Sequence, residues 1–144
     1  MRCLLPCLLL LTSLASAQSW QQLPDFPGLA RDDASTFVIG SNVYVGTGRD
    51  VNFGLTNDWY RYDTGNGNWQ QVQSLPTGGR QYCTAFTIDS VGYLFGGSDD
   101  NNLFAELWGY DPASYSWNAK APLPPVGRSS CSSFVIGGYG YIVL

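Results

Sequence analysis

A period of 48 to 49 residues runs through this chain and constrains its fold more than any other feature. Trp20, Trp69 and Trp117 stand 49 and 48 residues apart, and so do Arg31, Arg80 and Arg128. Phe37, Phe86 and Phe134 keep the same spacing, as do Tyr44, Tyr93 and Tyr141, and Pro27, Pro76 and Pro124. The one-residue shift has a single location: nine residues separate Gly48 from Asp58, and eight separate Gly97 from Glu106. A loop absorbs such a change where a packed strand would not. Five concordant series mean that one structural unit is built repeatedly.

Each unit reads as four short strands. Run A is "ASTFVIG", "CTAFTID" and "CSSFVIG"; run B is "NVYVGT", "GYLFGG" and "GYIVL". Run C is "DWYRYD" and "ELWGYD", and run D starts at the tryptophan, as in "NWQQVQ" and "SWNAK". β-branched and aromatic residues fill these runs, and turn-forming "GSN", "DSVG", "DTGNGN" and "DPASYS" divide them. No stretch after the N-terminal segment carries a helical period. Four strands joined by tight turns make an antiparallel meander, and a meander repeated at this period predicts propeller blades.

Arginine, an apolar run, Tyr-x-Phe-Gly-Gly at 93–97, "ELWGYD" and a tryptophan six residues on together resemble the kelch repeat. The resemblance covers residues 20 to 144, in units of about 20–68, 69–116 and 117–144. The second unit matches best; the first has "GTG" at 46–48 where the glycine pair should stand. The fold expected is all-β: a partial kelch-type β-propeller with a leading D strand at Trp20, two full four-stranded blades at 31–75 and 80–123, and a trailing A–B hairpin. Kelch rings of about six blades need roughly 300 residues at this period. The 144 residues are therefore expected to be the N-terminal piece of a longer protein.

"MRCLLPCLLLLTSLASA" has a basic start, a short apolar core and a small-x-small end, the pattern of a secretory signal peptide over 1–17. The expected destination is outside the cell, in the periplasm or on the cell surface. No later segment is apolar and long enough for a membrane span. With Arg2 removed, six Lys and Arg face eleven Asp and Glu, a net charge of −5. Nucleic acid binding, which needs phosphate-neutralising cations, is disfavoured. Histidine is absent, which removes the commonest metal ligand and the usual general base. "DDNN" at 99–102 matches a calcium loop weakly, lacking its glycine and terminal glutamate, so no metal site or cofactor is expected.

In a meander the D–A and B–C connections share one face. That face would carry Arg31, Arg80 and Arg128 together with the long loops 48–57 and 97–106, which contain Phe53 and Phe104. These five residues are the candidate ligand contacts. Convergent guanidinium groups suit carboxylates or phosphates. The competing reading is that each arginine pairs with a nearby carboxylate, such as Asp32 or Asp33, and braces its blade. The regular tryptophans are expected to fill space between blades. Cys83 and Cys131 hold equivalent places in adjacent blades, so symmetry points them the same way and both should be free.

The kelch resemblance implies a binding module for a protein, a carbohydrate or a cell-surface component. It also admits an enzyme, since exported kelch-like propellers include the bacterial sialic acid mutarotases and galactose oxidase. "FPGLARDDASTFVIGSNVYVG" at 26–46 is similar in flavour to the former, and the lack of histidine weakens the latter.

Overall fold

Short runs of alternating apolar and polar residues, closed by glycine- or aspartate-bearing turns, fold as hairpins. The structure is a computed structural model that describes residues 19–124 and 126–143; the segment 1–17, read above as a signal peptide, lies outside the described residues. Twelve strands form, and no helix is present among the described residues. β1 (Arg31–Asp32) pairs with β4 (Arg49–Asp50) in a small ribbon. The first blade is β2 (Ser35–Ile39), β3 (Asn42–Gly46), β5 (Trp59–Asp63) and β6 (Asn68–Val72), each antiparallel to the next. The second repeats that order with β7 (Thr84–Ile88), β8 (Val91–Phe95), β9 (Leu107–Asp111) and β10 (Ser116–Lys120). A third unit contributes the hairpin of β11 (Ser132–Ile136) and β12 (Tyr139–Val143).

The leading strand expected at Trp20 does not form. Residues 19–30 pair with no strand, and Trp20 is 99% exposed. A strand exists through its ladder, and no described residue offers this stretch one. Its far end nevertheless takes up a repeat role. The Trp69 indole Nε1 donates to the Pro24 carbonyl at 3.1 Å, as Trp117 Nε1 donates to the Gln73 carbonyl at 2.9 Å.

The blades converge at their first strands. Thr87 Oγ1 donates to the Val38 carbonyl at 2.7 Å, and Ser133 Oγ donates to the Ala85 carbonyl at 3.0 Å. These bonds tie β2 to β7 and β7 to β11, so run A is the inner strand, as expected. Within each unit the phenylalanine of run A faces the tyrosine of run B in register, and the rings stack at 5.0, 5.3 and 5.2 Å. Between the first two blades Phe37 also meets Trp59, Tyr110 and Trp117, with Leu75 and Leu94 completing a buried cluster. Trp117 thus fills space between blades. Trp69 packs on Phe26 and Tyr62, and Trp20 packs on no described residue.

After run B the chain must turn sharply under the arginine loops. Gly96 (φ 66°) and Gly97 (φ 88°) do this in the second blade, and Thr47 (φ 57°) and Gly48 (φ 97°) in the first. The backbone is the same although the sequence departs from the glycine pair. Thr47, fully buried, accepts a left-handed conformation that a β-branched residue rarely takes, and its Oγ1 donates to Ser35 Oγ at 3.3 Å. Cys83 and Cys131 are free thiols. Burial pushes the Cys83 thiol up to about 11, so it packs as a small apolar group.

Candidate functional site

The D–A and B–C connections do share one face. Gly48 N donates to the Arg80 carbonyl at 2.8 Å, Gly97 N donates to the Arg128 carbonyl at 2.8 Å, and Gln81 exchanges backbone hydrogen bonds with Ser98. The Arg80 and Arg128 backbones are therefore stitched to the B–C loop of the preceding blade, whereas Arg31 pairs with Asp50 of its own unit.

The Arg31 and Arg80 side chains turn into their own blades. Arg31 forms a fork on Asp58, with contacts of 2.5 and 3.1 Å, and adds Thr56 Oγ1 at 2.8 Å and the Thr47 carbonyl at 3.2 Å. Arg80 is 1% exposed and donates to Glu106 Oε2 at 2.9 Å, Thr77 Oγ1 at 2.7 Å and the Gly96 carbonyl at 3.3 Å. The brace is thus real, but its partners are Asp58 and Glu106 at the start of run C, not the adjacent Asp32 or Asp33. Those neighbours belong to the strand entry, whereas the guanidinium extends under the B–C loop to where the loop rejoins the sheet. Arg128 is half-buried, and among the described residues it has no carboxylate partner.

Phe104 is half-buried, with the Arg80 guanidinium 4.1 Å from its ring centroid. Phe53 is 79% exposed at the tip of loop 48–57, where its φ is 62°. The Asp50 carboxylate accepts from the Asn52 and Gly54 amides, and the Phe53 carbonyl accepts from Arg49 at 2.8 Å, so the tip is held in shape. In the other loop, Asp99 accepts from the Asn101 and Asn102 amides and is lowered by those bonds. This is a self-capped turn, and no group of three or more metal-ligating residues occurs among the described residues.

Sequence reasoning missed two further features. Arg49 bridges the loops of adjacent blades, donating to Gln81 Oε1 at 3.1 Å and pairing with Asp100. The second is a left-handed residue at the entry to each A strand: Asp33 (φ 52°), Tyr82 (φ 56°) and Ser130 (φ 56°). They follow the repeat spacing, but their chemistry differs, so no residue series betrays them. Tyr82 is 41% exposed, and hydrogen bonding with Asp33 together with that carboxylate's charge holds its phenol above the usual value. A hollow of about 290 Å³ lined by Ala30, Arg31, Asp32, Arg49, Asp50 and Val51 lies nearby. Ala30 is the repeat counterpart of Gly79 and Gly127, which pack on the preceding blade's B–C loop. The hollow therefore lies at the position that the preceding blade's loop occupies in the other two units.

The ion pairs carry a pH dependence. Burial pushes the Asp58 carboxyl up, but the hydrogen bonds and charge of Arg31 outweigh it and the net shift is down. Glu106 behaves alike: burial raises it, while hydrogen bonds from Trp108 and Arg80 and the Arg80 charge bring it below the usual range. A carboxyl depressed by folding stabilises fully above its unfolded value of about 4, and that contribution is lost as pH falls through the folded value. Both carboxylates keep solvent contact, so each contributes about 1 kcal/mol or less. Urea midpoints should therefore fall as the pH drops below about 4, and Asp58→Asn with Glu106→Gln should flatten that fall. An equally steep fall in the double variant would place the acid sensitivity elsewhere.

The family model described as the KLHDC2/KLHL20/DRC7 kelch-repeats domain matches residues 9–144. The chain belongs to the kelch-repeat β-propeller family. A kelch domain-containing protein of Vibrio cholerae is 31% identical over 99 residues, covering 61% of this chain and 27% of that protein. An N-acetylneuraminate epimerase of Yersinia pestis is 34% identical over 85 residues, covering 54% of this chain and 22% of the epimerase. The solved structure of YjhT superposes with a TM-score of 0.71 at 28% identity, over 83% of this chain and 35% of that one. This kelch chain thus spans about a quarter of the length of the curated relatives it matches.

Proposed function

We propose that this kelch chain is part of an exported propeller that binds a protein or carbohydrate ligand on the face bearing loops 48–57 and 97–106. One observation carries the reading. At the entry to each inner strand the backbone is left-handed, a conformation that costs a side-chain-bearing residue about 1–2 kcal/mol, yet glycine stands at none of the three. At the left-handed A–B turn position glycine serves in two units, as Gly40 and Gly137, with Asp89 in the other. Side chains kept despite strain at a channel mouth are candidates for contact with a ligand. Tyr82 and Asp33 supply an aromatic face beside a carboxylate, Phe53 adds an exposed aromatic tip, and Arg128 supplies a cation. Arg31, Arg80 and Phe104 support the loops from beneath.

A second reading, an enzyme acting on a sialic acid, is favoured by the likeness to the N-acetylneuraminate epimerase of Yersinia pestis. One experiment separates the two. The protein purified from its natural host is screened on a glycan array and mixed with N-acetylneuraminate under proton NMR. Saturable binding that weakens about ten-fold in Tyr82→Ala, about 1.4 kcal/mol, with no faster anomer exchange, supports the binding module. Accelerated anomer exchange supports the enzyme. Binding indifferent to Tyr82 would move the site off this face.

A further inference from the structure

Two of the positions at which the first two blades differ meet between them. Arg61 stands in β5 where Gly109 stands in β9, and Tyr115 stands in the β9–β10 turn where Gly67 stands in the β5–β6 turn. Arg61 lies directly opposite Tyr44 across the β3–β5 ladder, so both side chains leave the same face of the sheet. That face meets the second blade, because the Tyr44 ring lies 5.4 Å from the Tyr110 ring. Tyr115 starts beside Tyr110. A Cβ built on its counterpart Gly67 would stand 3.7 Å from the hydroxyl of Tyr62, the counterpart of Tyr110. Arg61 and the three phenols thus gather at the turn end of the blades, away from loops 48–57 and 97–106.

The repeat does not require this cluster. The second blade packs on the β11–β12 hairpin with Gly109 at the arginine position. Tyr115 keeps a left-handed backbone (φ 51°) that Gly67 (φ 73°) adopts freely, and 62% of it is exposed. Arg31, Arg49 and Arg80 each pair with a carboxylate, but among the described residues Arg61 has none. Its NH2 group donates to Gln70 Oε1 at 2.8 Å, while its buried Nε–H meets no acceptor, an arrangement that costs free energy. Asp63 and Asp111, at the same ends of their strands, cap their own turns: one accepts from the Gly65 amide and Asn66, the other from the Ala113 amide and Ser114. Burial raises Tyr44, although Arg61 pulls it down, and burial pushes Tyr110 up to about 12. Both phenols therefore keep their protons at neutral pH. A cation among protonated phenols is a set of donors, and an oxyanion is the guest that accepts from such a set.

We propose that Arg61, with the hydroxyls of Tyr44, Tyr110 and Tyr115, binds the oxyanion group of a ligand (a carboxylate, sulfate or phosphate) between the first two blades, on the face opposite loops 48–57 and 97–106. Arg61 supplies the charge, Tyr44 and Tyr110 line the inner wall, and the exposed Tyr115 forms the outer one. The site stands apart from the loop face proposed above and does not depend on it.

The test titrates the full chain with sodium sulfate, sodium phosphate and sodium acetate, each against sodium chloride at matched ionic strength. By NMR, at least one oxyanion should shift the Arg61 Nε–H and Tyr115 amide resonances saturably, and chloride should not. The tightest of the three identifies the group. Tyr115→Gly installs the residue of the first blade and relieves the backbone, so its urea midpoint should hold or rise while binding weakens about five-fold. Arg61→Gln, its folding checked by circular dichroism, should abolish the saturable shift at the Tyr115 amide. A chloride-like response to all three oxyanions would overturn the proposal and leave the cluster as an internal contact between blades. Unchanged affinity in either variant would overturn it as well.

Discussion

Phe37→Ala should destabilise the protein by about 3–5 kcal/mol, the usual cost of removing a buried aromatic ring. Phe37 is buried and meets four aromatic rings, two of its own blade and two of the next, besides resting on Gly92. No neighbour can collapse into the void, because the rings around it are fixed by their own strands. The same substitution at the repeat counterparts provides an internal control. Phe86 is half-buried against Gly140, and Phe134 keeps only its stack with Tyr141. Phe134→Ala should therefore cost about 1 kcal/mol, the value of one aromatic pair, with Phe86→Ala between. Urea unfolding of the three variants checks the order. Equal costs would mean that the ring contributes within its hairpin and not across the junction.

That graded order rests on a fold whose local part was open to reading. Each hairpin is specified within a dozen residues, so the strands, the turns and the shared face of the arginines and long loops follow from the repeat. Contacts across 26 or 27 residues were not legible in the same way. Arg31 has Asp32 and Asp33 beside it in sequence, yet its fork closes on Asp58, because the side chain runs beneath the B–C loop. Thr47 hid a glycine-like backbone behind a β-branched side chain, its strain offset by burial and a hydroxyl bond to Ser35. Asp33, Tyr82 and Ser130 share a backbone conformation but no chemistry, and only dihedral angles reveal them as a set. The run at Trp20 carries the letters of a D strand without a neighbour among the described residues to pair with, and a propensity without a ladder is not a strand.

Arg80→Ala should cost about 2–3 kcal/mol and loosen loop 97–106, whereas Arg128→Ala should cost about 0.5 kcal/mol or less. Breaking a fully buried ion pair costs about 3–5 kcal/mol. Glu106 keeps water contact and can rehydrate when its partner is lost, which places this pair below that range. What cannot be recovered is the interior of the junction. Arg80 is 1% exposed, holds Thr77 Oγ1 and the Gly96 carbonyl, and covers the Phe104 ring. Removing it leaves that carbonyl with only the weak Cys83 thiol donor at 3.5 Å and the ring without its cap, and Phe104 anchors the loop through backbone bonds to Gly97 and Arg128. Arg80→Lys should recover less than half of the loss, because an ammonium cannot span Glu106, Thr77 and the Gly96 carbonyl as a planar fork does. The readouts are urea unfolding for stability and amide exchange at Asp99–Glu106 for the loop. A near-neutral Arg80→Ala with unchanged exchange would show that the brace contributes nothing, and would return the Arg80 guanidinium to the pool of groups free to meet a ligand.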